Sequence, residues 1–417
     1  MSEVNNYMLA FNPALLDAFG RQRVSTPDYV FDAQFTYDLA PLLYEPIIAL
    51  GGGGGGTVTI AHDATNRNAL LTFAAAQNTA SAKLQTFEYF RYQPGRSQLI
   101  FTTFNMIEKK ADITKYVGYT DGTNGVELQL VGNSAVNLVC YSTTTAGTET
   151  VPQASWNLDP LNGSGPSGLT LDFTKTQILL IDFQALYVGR IRVGFVIGGA
   201  VYYVHQFNHS NLIAYPYAAT MNLPLRAGMT ATANNVSSTM TYICSSIVSE
   251  GGDQASHVGY SFTATSGAVT AASGTRTLAL SVRPKLTFNA LTNRTKFVLK
   301  TLDVGIVSGT NPLYWELCVG TDITTSPAFT DVNATYSAMQ YYQAGAINSG
   351  PLIVLESGFV ASSNSTRGSV TQGVSLRTPI TLDAAGATRL LGTLSLIVTG
   401  IGGTAPCRAT MNWREER

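Results

Sequence analysis

Four histidines, four cysteines and 26 carboxylates are the residues with which this chain could do chemistry. His205 and His209 stand four apart, a spacing that would put both on one face of a helix for a metal ion. Here they close a strand-like run and enter a loop, VHQFNHSN, so they read as satisfied surface histidines. His62 and His257 stand alone among small polar residues. Enzymes that cut polysaccharide use two carboxylates, and Asp172 and Asp182 are the candidates for such a pair; as single residues they read as solvated carboxylates at strand ends. The loop DPLNGSGPSGLTLD offers Asp159, Asn162 and Asp172 as oxygen ligands for calcium, without the D-x-D-x-D-G spacing of a calcium loop. No G-x-S-x-G frames a serine nucleophile. Six glycines at 51–56 lack the Lys-Ser or Lys-Thr pair of a phosphate cradle and read as a flexible loop or hinge. Cys140, Cys244, Cys318 and Cys407 show no metal spacing and lie in strand-like surroundings, which predicts buried free thiols. The expectation is a chain with no catalytic residue, no metal or cofactor site and no hydrolytic activity.

The elements that would carry such residues are strands. Residues 156–211 hold a turn-rich loop and three apolar runs, separated by Gly189 and by Gly198-Gly199. Paired glycines between such runs signal a hairpin, so an antiparallel meander is expected there, at the centre of a β-sandwich. Similar runs recur every ~8–12 residues with Gly, Asn and Asp between them, the pattern of sandwiches and barrels. Only residues 334–343 have helical spacing. The fold class is therefore all-β, as antiparallel β-sandwich or jelly-roll domains. The expected divisions are an N-terminal arm with its Gly-rich hinge at 1–56, one sandwich at 57–252 and a second at 253–417. In the arm, residues 31–39 alternate with period two, yet no partner strand lies nearby in sequence. Phe31, Phe35, Tyr37 and Leu39 are thus the expected contacts to another subunit, by strand addition to a neighbour's sheet edge. The charged end after Trp413 is either a capped strand or a further contact.

The 417 residues carry a formal charge of −1, and only 12% are charged, so Ser, Thr, Asn and Gln supply the polar surface. The usual charged share is about 25%. Such a surface packs against neighbouring subunits with little charge desolvation. Absence of a basic block excludes a nucleic-acid footprint, and no apolar run reaches the ~18 residues of a membrane helix. Residues 1–12 show no basic-then-apolar signal segment. Synthesis in a cytoplasm and exit by another route are expected.

Four stretches resemble motifs in structural proteins of tailed bacteriophages: DAFGRQRVS at 17–25, YQPGRSQLIF at 92–101, GPSGLTLD with VGRIRVGFVIGG, and CSSIVSEGG at 244–252. The C-terminal part carries no such stretch. The resemblance implies a virion protein, released by lysis, whose partners are other virion proteins and copies of itself. A homotrimer is expected by analogy with phage fibres and decoration proteins, and host surface polysaccharide or another receptor is a further candidate partner. It carries over no catalytic residue. The reading is a tail or appendage subunit (adaptor, fibre or receptor-binding); the alternatives are a capsid decoration or head-fibre protein, or a carbohydrate-binding or carbohydrate-cleaving β protein.

Overall fold

A computed structural model describes residues 16–17, 27–52, 56–184, 186–250, 259–320, 328–345, 347, 352–362, 368–373 and 378–417. The chain divides into two compact units, Met1–Ser256 and His257–Arg417. The boundary expected at Gly251-Gly252 lies outside the described residues.

Unit 1 contains β1 (Pro27–Gln34), β2 (Tyr44–Ala49), β3 (Thr57–Asp63), β4 (Asn68–Ala76), β5 (Ser81–Thr86), β6 (Ser97–Asn105), β7 (Ile113–Thr120), β8 (Gly125–Val131), β9 (Ala135–Tyr141), β10 (Glu149–Pro152), β11 (Gln177–Phe183), β12 (Ile191–Ile197), β13 (Ala200–Phe207), β14 (Leu225–Ala231) and β15 (Val236–Glu250). They form two antiparallel sheets. Sheet I runs β13-β12-β11-β6-β15-β4-β3, with β1 also paired to β15; sheet II runs β10-β9-β8-β7-β14-β5-β2. Alternation builds the sandwich. On β8, Val126, Leu128 and Leu130 point into the core while Glu127 and Gln129 take the other face. Opposite them, Leu71, Ile181, Val193 and Ile247 of sheet I close the same core. The expected meander is β11-β12-β13, turned at Gly198 (φ 59°) and Gly199 (φ 82°), a conformation that suits glycine. It forms one edge of sheet I; the interior strands β6 and β15 occupy the centre expected for it.

The N-terminal arm is corrected by the structure. β1 pairs in cis with the second half of β15, Phe31 opposite Ile247. Phe31 and Phe35 are buried, their rings packed with Tyr44, Phe90 and Tyr242. Strand pairing ends at Gln34; Tyr37 is exposed and Leu39 packs partly against the core. β2 then joins sheet II beside β5. Residues 27–49 of the expected arm are thus part of the sandwich, and the strand that sequence reasoning left without a partner finds one late in the same unit. The glycine run carries the chain from sheet II to sheet I. A Cβ on Gly51 would come within 2.4 Å of the Asn78 carbonyl oxygen, and one on Gly56 within 2.2 Å of that of Ala75. These two glycines are close-approach positions rather than a free hinge; residues 53–55 lie outside the described residues.

Unit 2 contains β16 (Tyr260–Thr265), β17 (Val269–Ala271), β18 (Thr277–Pro284), β19 (Thr287–Phe288), β20 (Leu291–Thr292), β21 (Lys296–Ile306), β22 (Leu313–Val319), β23 (Thr330–Asp331), β24 (Met339–Gly345), β25 (Ile353–Val360), β26 (Ser369–Gly373), β27 (Leu394–Gly400) and β28 (Ala405–Glu416). Sheet III is β16-β28-β21-β26 with β17 beside β28, sheet IV is β23-β24-β18-β27-β22-β25, and β19 and β20 make a small hairpin. The core holds Leu280, Leu302, Trp315, Leu396 and Trp413. Residues 334–343 are a turn followed by β24, not the helix their spacing suggests. The charged end is the last turn of pleat in β28: Glu415 is buried and accepts hydrogen bonds from the Ser337 hydroxyl and the Ala338 amide.

Because Phe35 is enclosed by aromatic rings, Phe35→Ala should cost roughly 3–5 kcal/mol, read by urea denaturation of the full chain. Removing residues 1–50 should abolish the soluble fold of unit 1; a truncated chain with native circular dichroism and stability would show that β1 and β2 are dispensable.

Candidate functional site

The outer face of sheet II carries a connected cluster of polar side chains. Two rows of residues cross it, two residues apart along each strand and so on the same face of the pleat. Gln85, Arg226, Gly118 and Glu127 stand side by side on β5, β14, β7 and β8; the neighbouring row holds Lys83, Gly228, Tyr116 and Gln129. Both glycines interrupt strands, which is where another group approaches closely. A Cβ on Gly118 would lie 2.3 Å from the Val126 carbonyl oxygen and 3.1 Å from the Glu127 Cβ. One on Gly228 would lie 2.6 Å from the Tyr116 hydroxyl oxygen. Arg226 therefore reaches across Gly118 to Glu127, and Tyr116 lies flat over Gly228. Arg226 donates through Nε (2.9 Å) and Nη2 (2.7 Å) to Glu127 Oε2. Gln129 Nε2 and the Tyr141 hydroxyl donate to Oε1 at 2.9 and 3.1 Å, and Gln129 also donates to Tyr141. Glu127 is 1% exposed; Gln129 and Tyr141 are half-buried. Burial, then the Glu127 charge, raises the pKa of the Tyr141 phenol, so it stays a neutral donor. Burial lowers that of Lys83.

The face is a low platform of planar groups held by a desolvated carboxylate. With their N–H and O–H groups already given to Glu127 and to each other, Gln129 and Tyr141 present a carbonyl and a phenol oxygen as acceptors, while Arg226 and Tyr116 are buried. Glu45 projects from β2 on the same parity, four strand spacings from Glu127, or about 19 Å. Retaining and inverting carboxylate pairs stand about 5–10 Å apart, so these two do not make one.

The residues singled out in the sequence are dispersed. Asp172 precedes β11, where its Oδ1 accepts the Thr174 amide and hydroxyl. Asp182 is fully buried five residues into β11, roughly 17 Å along the strand from its start; the two do not form a catalytic pair. Asp159 caps its loop, accepting the Leu161 and Ser167 amides, and Asn162 accepts from Ser164. The three oxygen donors thus serve separate turns, and the described residues contain no group of three or more His, Cys, Asp or Glu arranged for a metal. His205 and His209 are buried, not on the surface as expected. His205 Nδ1 takes the Asn157 amide, and His209 stacks on Tyr217 at 4.3 Å between centroids. All four cysteines are free thiols; Cys140, Cys318 and Cys407 are buried and Cys244 is partly so. Burial pushes the Cys140 and Cys318 thiols up to about 12 and that of Cys407 to about 11.

Asp182 has another role. It accepts hydrogen bonds from Ser97 (3.2 Å), Tyr203 (2.9 Å) and Arg192, and Arg192 also donates to the Leu16 carbonyl at 2.9 Å. Ser97 pairs with Glu250 across β6 and β15. Buried Asp17 and half-buried Arg190 belong to the same charge network. Residues from each of the four stretches of the phage resemblance therefore meet on the outer face of sheet I. Sequence reasoning missed this meeting, and it missed Glu127 with Arg226, 99 residues away.

Two measurements check these assignments. Arg226→Met should cost about 3–5 kcal/mol by leaving Glu127 buried and unpaired, and the double variant with Glu127→Leu should recover much of that. Burial pushes His205 down to about 4 and also lowers His209. Between pH 6.5 and 4 the unfolded chain binds protons that the folded chain refuses, so stability should fall on acidification through that window. The slope per histidine is at most about 1.4 kcal/mol per pH unit, and His205→Gln should flatten it.

No protein-family model matches the chain, and no curated protein does. Solved structures do. A β-glucanase of Bacillus licheniformis shares 11% identity at a TM-score of 0.32, over 55% of this chain and 100% of that one. A carbohydrate esterase of the Shiga toxin-encoding bacteriophage phi24B shares 10% at 0.31, over 54% and 100%. An endo-β-1,3-glucanase of Pyrococcus furiosus shares 11% at 0.35, over 54% and 96%. The expectation of a chain without enzymatic activity is corrected on this finding, since glucanases stand among the solved structures to which it is similar.

Proposed function

We propose that unit 1 is a carbohydrate-recognition module and that the outer face of sheet II is its ligand surface. One observation carries the reading: planar side chains held across Gly118 and Gly228 and fixed in place by the buried Glu127. Sugars offer hydroxyls in a plane and an apolar ring face. Sites that take them combine fixed amide, phenol and guanidinium groups with an aromatic ring. Gln129 and Tyr141 are the accessible members, already oriented by their shared acceptor, so little side-chain freedom is lost on binding.

A second reading, the virion subunit implied by the resemblance, is supported by the meeting of its four stretches around Asp182. The two are compatible: a receptor-binding virion protein recognises host polysaccharide.

Calorimetric titration of the full chain with host surface polysaccharide and with β-glucan oligosaccharides tests the module. Gln129→Ala and Tyr141→Phe should each weaken binding about tenfold, the equivalent of one hydrogen bond of ~1.4 kcal/mol. Reducing ends counted in the same samples report cleavage. Binding that neither substitution alters would remove the face from the account.

A further inference from the structure

We propose that unit 2 carries a second, separate carbohydrate subsite, a groove on sheet IV that takes a neutral pyranose of an oligosaccharide against Phe359 and Tyr314. The groove is shallow and open, about 540 Å³, and its lining includes Ser273, Gly274, Tyr314, Phe359, Thr399 and Ile401. That volume suits one or two sugar rings, within the range of small-molecule sites.

Phe359 and Tyr314 face each other across β25 and β22, with ring centroids 5.0 Å apart. Phe359 is 70% exposed although it stands next to a half-buried ring, and Ile401 adds a further exposed apolar surface. A single exposed apolar residue needs no explanation; two rings and an isoleucine lining one groove do. The rings are rigidly backed. Trp315 fills the core side of the same step, where a Cβ on Gly358 would come within 2.8 Å of its indole. The floor is tight for a similar reason: a Cβ on Gly400 would lie 2.3 Å from the Gly403 carbonyl oxygen, so the backbone there stays bare. Ser273 and Thr399 contribute hydroxyls at the rim.

The charge pattern selects the ligand. Two residues along β22 from Tyr314, Glu316 is bound by Arg276 through two hydrogen bonds, Nε to Oε2 at 2.7 Å and Nη2 to Oε1 at 2.5 Å. The pair cancels its own charge and leaves donors of a half-exposed guanidinium beside the aromatic wall. An apolar ring face rimmed by hydroxyls and donors without net charge matches a neutral pyranose, which has one C–H face and a belt of hydroxyls. It does not match an anionic sugar or a long acyl chain.

Neutral hexasaccharides linked β-1,4, β-1,3 and α-1,4 (cellohexaose, laminarihexaose and maltohexaose) are the probes, titrated calorimetrically into the full chain up to millimolar concentration. Phe359 is exposed, so Phe359→Ala should fold normally, and Tyr314→Ser provides a second probe. The expected result is a binding component that Phe359→Ala weakens at least about tenfold and that Gln129→Ala in unit 1 leaves unchanged. Failure of all three hexasaccharides to bind, or binding that survives both unit 2 substitutions, overturns the proposal. So does a chain that binds no hexasaccharide but self-associates in sedimentation and loses that association with Phe359→Ala, because the groove is then a protein contact. A component lost only with Gln129→Ala would support the unit 1 face and refute this one.

Discussion

A carboxylate that never meets water organises the outer face of sheet II. Glu127 is desolvated by the groups that bind it, and each of those groups is placed by the sheet. Arg226 can lie flat only because Gly118 stands between its strand and that of Glu127. Removing water from an ion pair is expensive unless every lone pair is matched, and here both oxygens are matched by donors. The result is a fixed platform instead of a solvated, mobile fringe. Such pairs contribute little net stability compared with apolar residues, which leaves geometry as what the arrangement provides. Sheet I carries the same device at Asp182, where the bound groups come from β6, β12 and β13 and where Arg192 extends the network to the Leu16 carbonyl.

Much of the architecture was legible because period-two alternation is a local property. GVELQLV in β8 announces three core residues and two outward ones, and the Gly198-Gly199 turn announces its hairpin. What was not legible is pairing between distant segments. Phe31 and Phe35 gave a correct half-buried pattern, yet nothing near them in sequence shows that β15 is their partner, and so a core strand was read as an arm. Residues 334–343 show the converse failure, since their apolar spacing fits a helix locally while β18 supplies a strand partner. The buried end of β28 illustrates it again: charges in NWREER look solvated until the Ser337 and Ala338 donors are brought to Glu415.

The candidate sites follow the same division. Residues with obvious chemistry, such as Asp172, Asp159, His205 and His209, serve turns and core packing. The residues that form the platform had one usable signal, glycines at 118 and 228 inside otherwise apolar strands, a mark of close approach. Polysaccharide recognition on sheet II and the proposed place in a phage particle are not rivals, because the stretches of the phage resemblance meet on the outer face of the other sheet.

The most direct measurement is a crystal structure of the full chain grown with a neutral β-glucan oligosaccharide. The account predicts a sugar ring within hydrogen-bond distance of Gln129 and Tyr141. An oligosaccharide bound elsewhere on unit 1, with the Glu127 platform empty, would contradict it.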